Sequence, residues 1–266
     1  MSIITISRGS YSKGKEVAEE VGSRLGYQVI SRDLILETSK EFNVPEIKMV
    51  RAIHDAPSIL SRLGSNRKRY VAYFRYLLLD RIKEDNIVYH GLAGHFFLEG
   101  LSNLLKVRIL ADMDDRARLE AEREGISFEK AKSLLKKDDE ERRKWSYNLY
   151  GTDPQDPGIY DMVLHIKKLG TDDAADLICR TVEYEQFQST AESRQKVEDM
   201  RLAALAKVKL VEKYPDAEVS ADKGSVNVKL EGLYDQEDSL KRKVEELVST
   251  VPGVDHCSVS MVYMDR

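Results

Sequence analysis

A glycine, four residues, then a second glycine and a lysine: residues 9–15 read Gly9, Ser10, Tyr11, Ser12, Lys13, Gly14, Lys15. That spacing suits the binding of phosphate. Small residues let backbone N–H groups converge on anionic oxygens. A helix that starts at the second glycine aims its positive end at the same anion. Lys15 then reaches the outer phosphates as a mobile point charge. The next residue, where a hydroxyl commonly holds Mg²⁺, is Glu16. Three arrangements stay open for a metal: Glu16 through water, Ser10 or Ser12 directly, or nucleotide oxygens and water alone.

Phosphoryl transfer also needs several preorganised cations around the moving charge. Arg116 and Arg123 stand two helical turns apart, so both can face one site. Arg142 belongs to the next predicted helix, and Asp139 lies one turn before it, able to orient an arginine. Neighbouring Arg118, Arg143, Lys136 and Lys137 read as a solvated, charge-rich face.

These side chains need a frame. The β-branched run at 3–6 reads as a buried strand, and 15–25 as a helix that Gly26 ends. Residues 33–42 read as a helix, and 45–83 as mostly helical. Strands are expected at 86–89, 105–111 and 160–166. Helices are expected at 114–124, 127–149 and 172–188. Strand and helix alternate, which predicts an α/β fold with a parallel sheet covered on both faces, the three-layer P-loop NTPase arrangement. This first domain spans 1–188. The polar stretch 189–196 reads as a linker. A second, α+β domain follows over 197–266: a helix broken at Pro215, two strands joined at Asp222, Lys223 and Gly224, a helix, and a closing strand, in the order α-β-β-α-β.

The net charge of −4 over 266 residues lacks the basic excess of a general nucleic-acid binder. Cys179 and Cys257 have no partner at metal-ligand spacing and read as reduced structural thiols. No run approaches the ~18 apolar residues of a membrane span. The first residues lack a basic signal-peptide segment. A cytoplasmic location is expected.

The opening, ITISRGSYSKGKEVAEEVGSRLGYQVISRDLI, resembles that of the cytidylate kinase-like family. So do DNIVYHGLAGHFFL and the segment from Leu105 to Ile166, with Asp115-Arg116, Glu122-Arg123-Glu124-Gly125, Asp139 to Arg142, Tyr150-Gly151 and Asp156-Pro157 in family order. On this alignment the family also has a glutamate at Glu16. The resemblance implies a kinase that uses ATP and Mg²⁺ and accepts a nucleoside monophosphate, CMP or dCMP above all. It implies that Arg116 lies against adenine, and that Arg123 and Arg142 contact the transferring phosphates.

Two positions depart from the family. Ser31 stands where many relatives carry an acid, and Gly91 where several carry an arginine. The candidates to hold the acceptor then become Arg32, Asp33, Arg69, Arg75, His90 and His95. Arg32 or Arg75 is expected to replace the missing arginine, in a crevice at the carboxyl ends of the strands. The same departures favour an alternative, a nucleotide sensor without turnover that controls the C-terminal domain. That domain is similar to BON domains in its strand hairpin and Val251-Pro252-Gly253-Val254 turn, and its own ligand or partner is open.

Overall fold

The computed structural model describes residues 2–263 except 10–11, 32, 50–63, 92–93 and 233–236. Ser10, Tyr11 and Arg32 therefore lie outside the described residues.

Five parallel strands form the first sheet: β1 (Ile3–Arg8), β2 (Gln28–Ile30), β3 (Ile87–His90), β4 (Leu104–Ala111) and β5 (Met162–Ile166), in the order β2-β3-β1-β4-β5. The sequence reading gives β2 no range, because three residues are too few to show a period, although its crevice places Ser31 to Asp33 at the end of a strand. Helix α1 (Gly14–Leu25) follows β1 and ends at left-handed Gly26, whose N–H donates to the Gly22 carbonyl. Val17, Ala18 and Val21 of α1 pack with Ile4, Ile6, Val88, Val107 and Ile109 of the sheet. Burial of each such valine or isoleucine side chain stabilises the fold by about 1.5–3 kcal/mol.

Along the chain come α2 (Asp33–Glu41), α3 (Gly64–Ile82), α4 (Gly94–Phe97), α5 (Met113–Glu124), α6 (Phe128–Tyr150) and α7 (Thr171–Val182). Ala174, Ala175 and Ile178 of α7 join the core that α1 occupies. Helices α5 and α6 form a hairpin around a small core of Ala117, Ala131 and Leu135. Gly125 in a left-handed conformation stops α5, and the Ser127 hydroxyl accepts from the Lys130 N–H to start α6.

The stretch 189–196, read as a linker, is helical from Ala191 onward. Helix α8 runs Ala191–Leu210 without a break. Thr190 and Ser193 cap it reciprocally: each side chain accepts the other's backbone N–H, at 3.0 Å. Capping satisfies the free N–H groups that a polar first turn would otherwise leave open, so low apolar content does not prevent the helix.

The second sheet holds β6 (Glu218–Asp222), β7 (Ser225–Gly232) and β8 (His256–Tyr263), with β6 antiparallel and β8 parallel to β7. Lys223 and Gly224 both have positive φ, as a two-residue hairpin with right-handed twist requires. Helices α8 and α9 (Glu237–Ser249) cover this sheet through Leu202, Ala206, Leu210, Val244 and Val248.

The chain divides into two compact units, and the division is not sequential. One unit holds the described residues of Met1–Asp33 and Glu84–Ser189; the other holds those of Leu34–Ala52, Leu60–Lys83 and Thr190–Arg266. Leu34–Glu41 of α2 and helix α3, which lie between β2 and β3, thus share a unit with the C-terminal elements. The contacts that carry this are specific. Arg69 on α3 reaches Glu212 at 3.0 Å, Lys68 pairs with Asp216, and Arg201 on α8 lies 3.6 Å from Asp80. Phe42 stacks on Tyr73 with ring centroids 4.1 Å apart.

Candidate active site

β1 ends at Arg8, immediately before Gly9. Lys13 adopts a left-handed conformation (φ 61°) immediately before α1 begins at Gly14. Gly14 has no room for a side chain: a Cβ there would lie 2.6 Å from the Arg8 Cδ. The buried Ser12 hydroxyl donates to the Gly9 carbonyl at 3.0 Å and closes the loop. Lys15 projects from the first turn of α1, 60% exposed, with Glu19 at 3.5 Å. Glu16 is exposed beside it. An exposed ion pair of this kind is worth under about 1 kcal/mol, so Lys15 is available to a ligand.

Arg116 lies buried against this loop. A Cβ on Gly9 would sit 3.1 Å from its guanidinium. Asp139 holds Arg116 by a two-pronged ion pair at 2.8 and 2.9 Å. Asp139 therefore orients Arg116 on the neighbouring helix, across the α5–α6 hairpin. Arg142, one turn further along α6, is half-buried. Burial holds its pKa below the ordinary arginine value, Asp139 opposes this, and Arg8 and Arg116 add to the lowering. Arg8, Gly9, Ser12, Arg116, Asp139 and Arg142 line one cavity of about 70 Å³. Arg123 is not among its walls. It lies two turns beyond Arg116, which is about 10 Å along a helix axis, and its exposed side chain is 3.5 Å from Glu124. A shared face does not bring two residues to the same depth.

On the acceptor side of the sequence reading, the structure divides the candidates. His90 ends β3, and its pKa falls to about 4, chiefly through burial, then through Arg8 and Lys15, with Asp33 opposing. Asp33 accepts from the backbone N–H of Ser31 at 2.9 Å and from its hydroxyl at 3.1 Å. His95 on α4 is buried, and its pKa falls to about 3 through burial and then Arg108 and Lys106. Both imidazoles are neutral at neutral pH. Arg69 and Arg75 belong to the second unit. There Arg69 pairs with Glu212, and Arg75 lines a pocket with Lys207 and Glu218.

A second cavity, of about 320 Å³, adjoins the same loop and is lined by Lys13, Asp115, Arg116, Arg118, Leu119, Ile166 and Lys167 among others. That is the lower end of the size range for small-molecule sites. A glycine-rich turn after the central strand of a parallel sheet, a lysine in the first helical turn, and a two-helix hairpin that brings arginines over the turn form one arrangement. Residues 3–168 match the pattern of the cytidylate kinase-like family throughout. The chain belongs to the cytidylate kinase-like family. The cytidylate kinase of Thermococcus kodakarensis is 27% identical over 183 residues, 68% of this chain and 88% of that one. The cytidylate kinase of Sulfolobus acidocaldarius is 25% identical over 187 residues, 70% and 97% of the two chains. In fold, the chain is similar to an uncharacterized protein from Eubacterium ventriosum, with TM-score 0.54 and 21% identity over 70% of this chain and 100% of that one.

Several residues at the site of this cytidylate kinase-like chain escape the sequence reading: Ser7, Arg8, Arg108 and Tyr160. One signal could have found Arg108. It interrupts the run Leu104–Ala111, and a parallel strand covered on both faces is ordinarily apolar throughout. Among the described residues no group of three or more side chains is arranged to hold a metal, and no helix is long and apolar enough to cross a membrane.

Proposed function

We propose that this chain is an ATP-dependent nucleoside monophosphate kinase with CMP or dCMP as its acceptor. The observation that carries the proposal is the closure of the α5–α6 hairpin on the phosphate loop, with Arg116 packed on Gly9 and held there by Asp139. Membership of the cytidylate kinase-like family supports it. The triphosphate of ATP takes the loop formed by Gly9, Ser10, Tyr11, Ser12, Lys13, Gly14 and Lys15. The adenosine moiety takes the larger cavity, against Arg116.

In the reaction, an oxygen of the acceptor phosphate attacks the γ-phosphorus in line. The bond from that phosphorus to the β-phosphate oxygen breaks, and ADP leaves with the electron pair. Lys15 and Arg142 face the developing charge, and their role is electrostatic. Arg123 reaches the phosphates only if α5 and α6 close further. The donors present fit Mg²⁺ held mainly by nucleotide oxygens and water, with Glu16 within the same turn of α1. When bound, the cation would supply positive charge that offsets the charge of the triphosphate. Asp33 and His90 are the acceptor-side candidates of the first unit, and His90 acts there as a neutral hydrogen-bonding group.

The test is a coupled assay with ATP across CMP, dCMP, UMP, AMP and GMP. CMP or dCMP should give the highest kcat/KM. Tight ATP binding without transfer to any monophosphate would overturn the proposal and restore the sensor reading, which family membership does not favour. Arg32→Ala should raise the acceptor KM more than the ATP KM. The C-terminal αββαβ arrangement agrees with a BON-like binding module.

A further inference from the structure

The small cavity by Gly9 carries more positive charge than the loop and the hairpin explain. Four arginines line it, Arg8, Arg108, Arg116 and Arg142, against a single carboxylate, Asp139, which Arg116 already engages at both oxygens. Arg108 is the unusual member. It sits inside β4, level with Ser7 of β1 in the sheet register. Val107 and Ile109 on either side of it face the apolar core under α1, so Arg108 faces the opposite side of the sheet.

On that side the expected apolar layer is replaced by polar groups. Thr5 and Ser7 of β1 are buried, as are His95 and Tyr160. The Arg108 guanidinium donates to the Tyr160 hydroxyl at 3.2 Å and approaches the Ser7 hydroxyl at 3.4 Å. Its carbon lies 5.5 Å from the centre of the Tyr160 ring. Among the described residues Arg108 has no carboxylate partner, and the Tyr160 hydroxyl itself donates to the Pro154 carbonyl at 2.9 Å. A half-buried guanidinium held only by neutral groups, at the wall of a cavity, is an uncompensated charge. The burial of His95 beside it, with its pKa down to about 3, keeps a further positive charge out of the cluster.

We propose that Arg108, aimed by Ser7 and Tyr160, anchors a phosphoryl group in this cavity. The forked guanidinium suits the planar spread of phosphate oxygens. The cavity, about 70 Å³, has room for a phosphoryl group beside the guanidinium. Two sources share this chemistry, the γ-phosphate of the donor and the phosphate of the acceptor. The inference deepens the kinase reading of the same site and rests on it.

The experiment compares the full-length protein with Arg108→Met by calorimetry, in the presence of Mg²⁺, for four probes: ATP, ADP, CMP and cytidine. The expected result is a loss of about 10- to 100-fold in affinity for one phosphoryl-bearing probe, with its shorter partner unchanged. Loss for ATP but not ADP assigns the γ-phosphate; loss for CMP but not cytidine assigns the acceptor phosphate. Arg108→Lys, which keeps the charge without the fork, should recover part of the loss. Wild-type affinity for all four probes, or an equal loss for all four, would overturn the inference. If Arg108→Met does not fold, Tyr160→Phe decides: it keeps the ring, removes the hydroxyl that Arg108 uses, and should weaken the same single probe. No change there overturns the inference. The two readings fail separately. A protein that transfers phosphate while Arg108→Met binds all probes normally loses only the anchor. A protein that transfers nothing but shows the selective loss keeps the anchor and loses the kinase assignment.

Discussion

Lys15 and Arg142 differ from Arg123 in what surrounds them, and their variants should differ accordingly. Lys15→Ala removes an exposed charge that supports no core residue, so the fold should persist while transfer drops roughly 10²- to 10³-fold. Circular dichroism and kcat measured together check this; near-normal turnover would show that the loop is not the donor site. Arg142→Ala should cost more in kcat than Arg123→Ala, because Arg142 lines the cavity and Arg123 does not. The two buried histidines set a pH dependence. Burial lowers the pKa of His90 to about 4 and that of His95 to about 3 in the folded chain, against 6.5 when exposed. As pH falls below about 6.5 the unfolded chain takes up protons that the folded chain refuses, so stability is lost toward pH 4. Each histidine contributes up to about 1.4 kcal/mol per pH unit in that window. Urea midpoints between pH 7 and pH 4.5 should fall, and the fall should be shallower in His95→Gln.

At the scale of elements, the helix ends follow rules that a sequence displays openly: glycine past the end of α1, α5 and α6, and a serine before the start of α6. The turn after α8 follows a rule that only the fold reveals. Lys207 donates to the Pro215 carbonyl at 2.9 Å, to the Ala217 carbonyl at 2.5 Å, and more weakly to the Tyr214 carbonyl at 3.5 Å. Burial lowers its pKa to about 8, yet three carbonyls surround the ammonium, and at neutral pH it stays charged. Lys207→Met should fill the same space but leave those carbonyls without a donor, and destabilise the second unit by about 1–3 kcal/mol. Thermal unfolding followed by a probe near β6 would detect it. Unchanged stability would mean that water replaces the lysine.

At the scale of the whole molecule, the second unit is assembled from two distant stretches of chain. The sequence reading places all of it after residue 196. In the structure Thr190–Arg266 supplies the surface on which α3 packs. Removal of residues 190–266 should expose the α3 face that α8 covers and strip Arg69 and Lys68 of their acidic partners. The truncated chain should show a lower melting temperature and a tendency to aggregate. If it stays soluble and melts like the intact protein, α3 does not depend on α8.

The glycine and lysine spacing of the loop, the alternation of strand and helix, and the one-turn spacing of Asp139 and Arg142 were legible in the sequence because each is local; the pairing of Asp139 with Arg116, 23 residues away, was not. Glycine spacing, helix periodicity and motif order need only neighbouring residues. Other features came from tertiary structure alone. Nothing in the sequence near Arg69 or Arg75 names Glu212 or Lys207, since the stretches meet only when the chain returns after more than a hundred residues. Arg116 and Arg123 share a helical face, but only the packing of α5 on α6 decides which one reaches Gly9. Arg108 looks like an irregularity in a strand until Ser7 and Tyr160, 101 and 52 residues away, close around it. Periodicity reports which way a side chain points along its own element. What it meets there depends on the elements that fold against it.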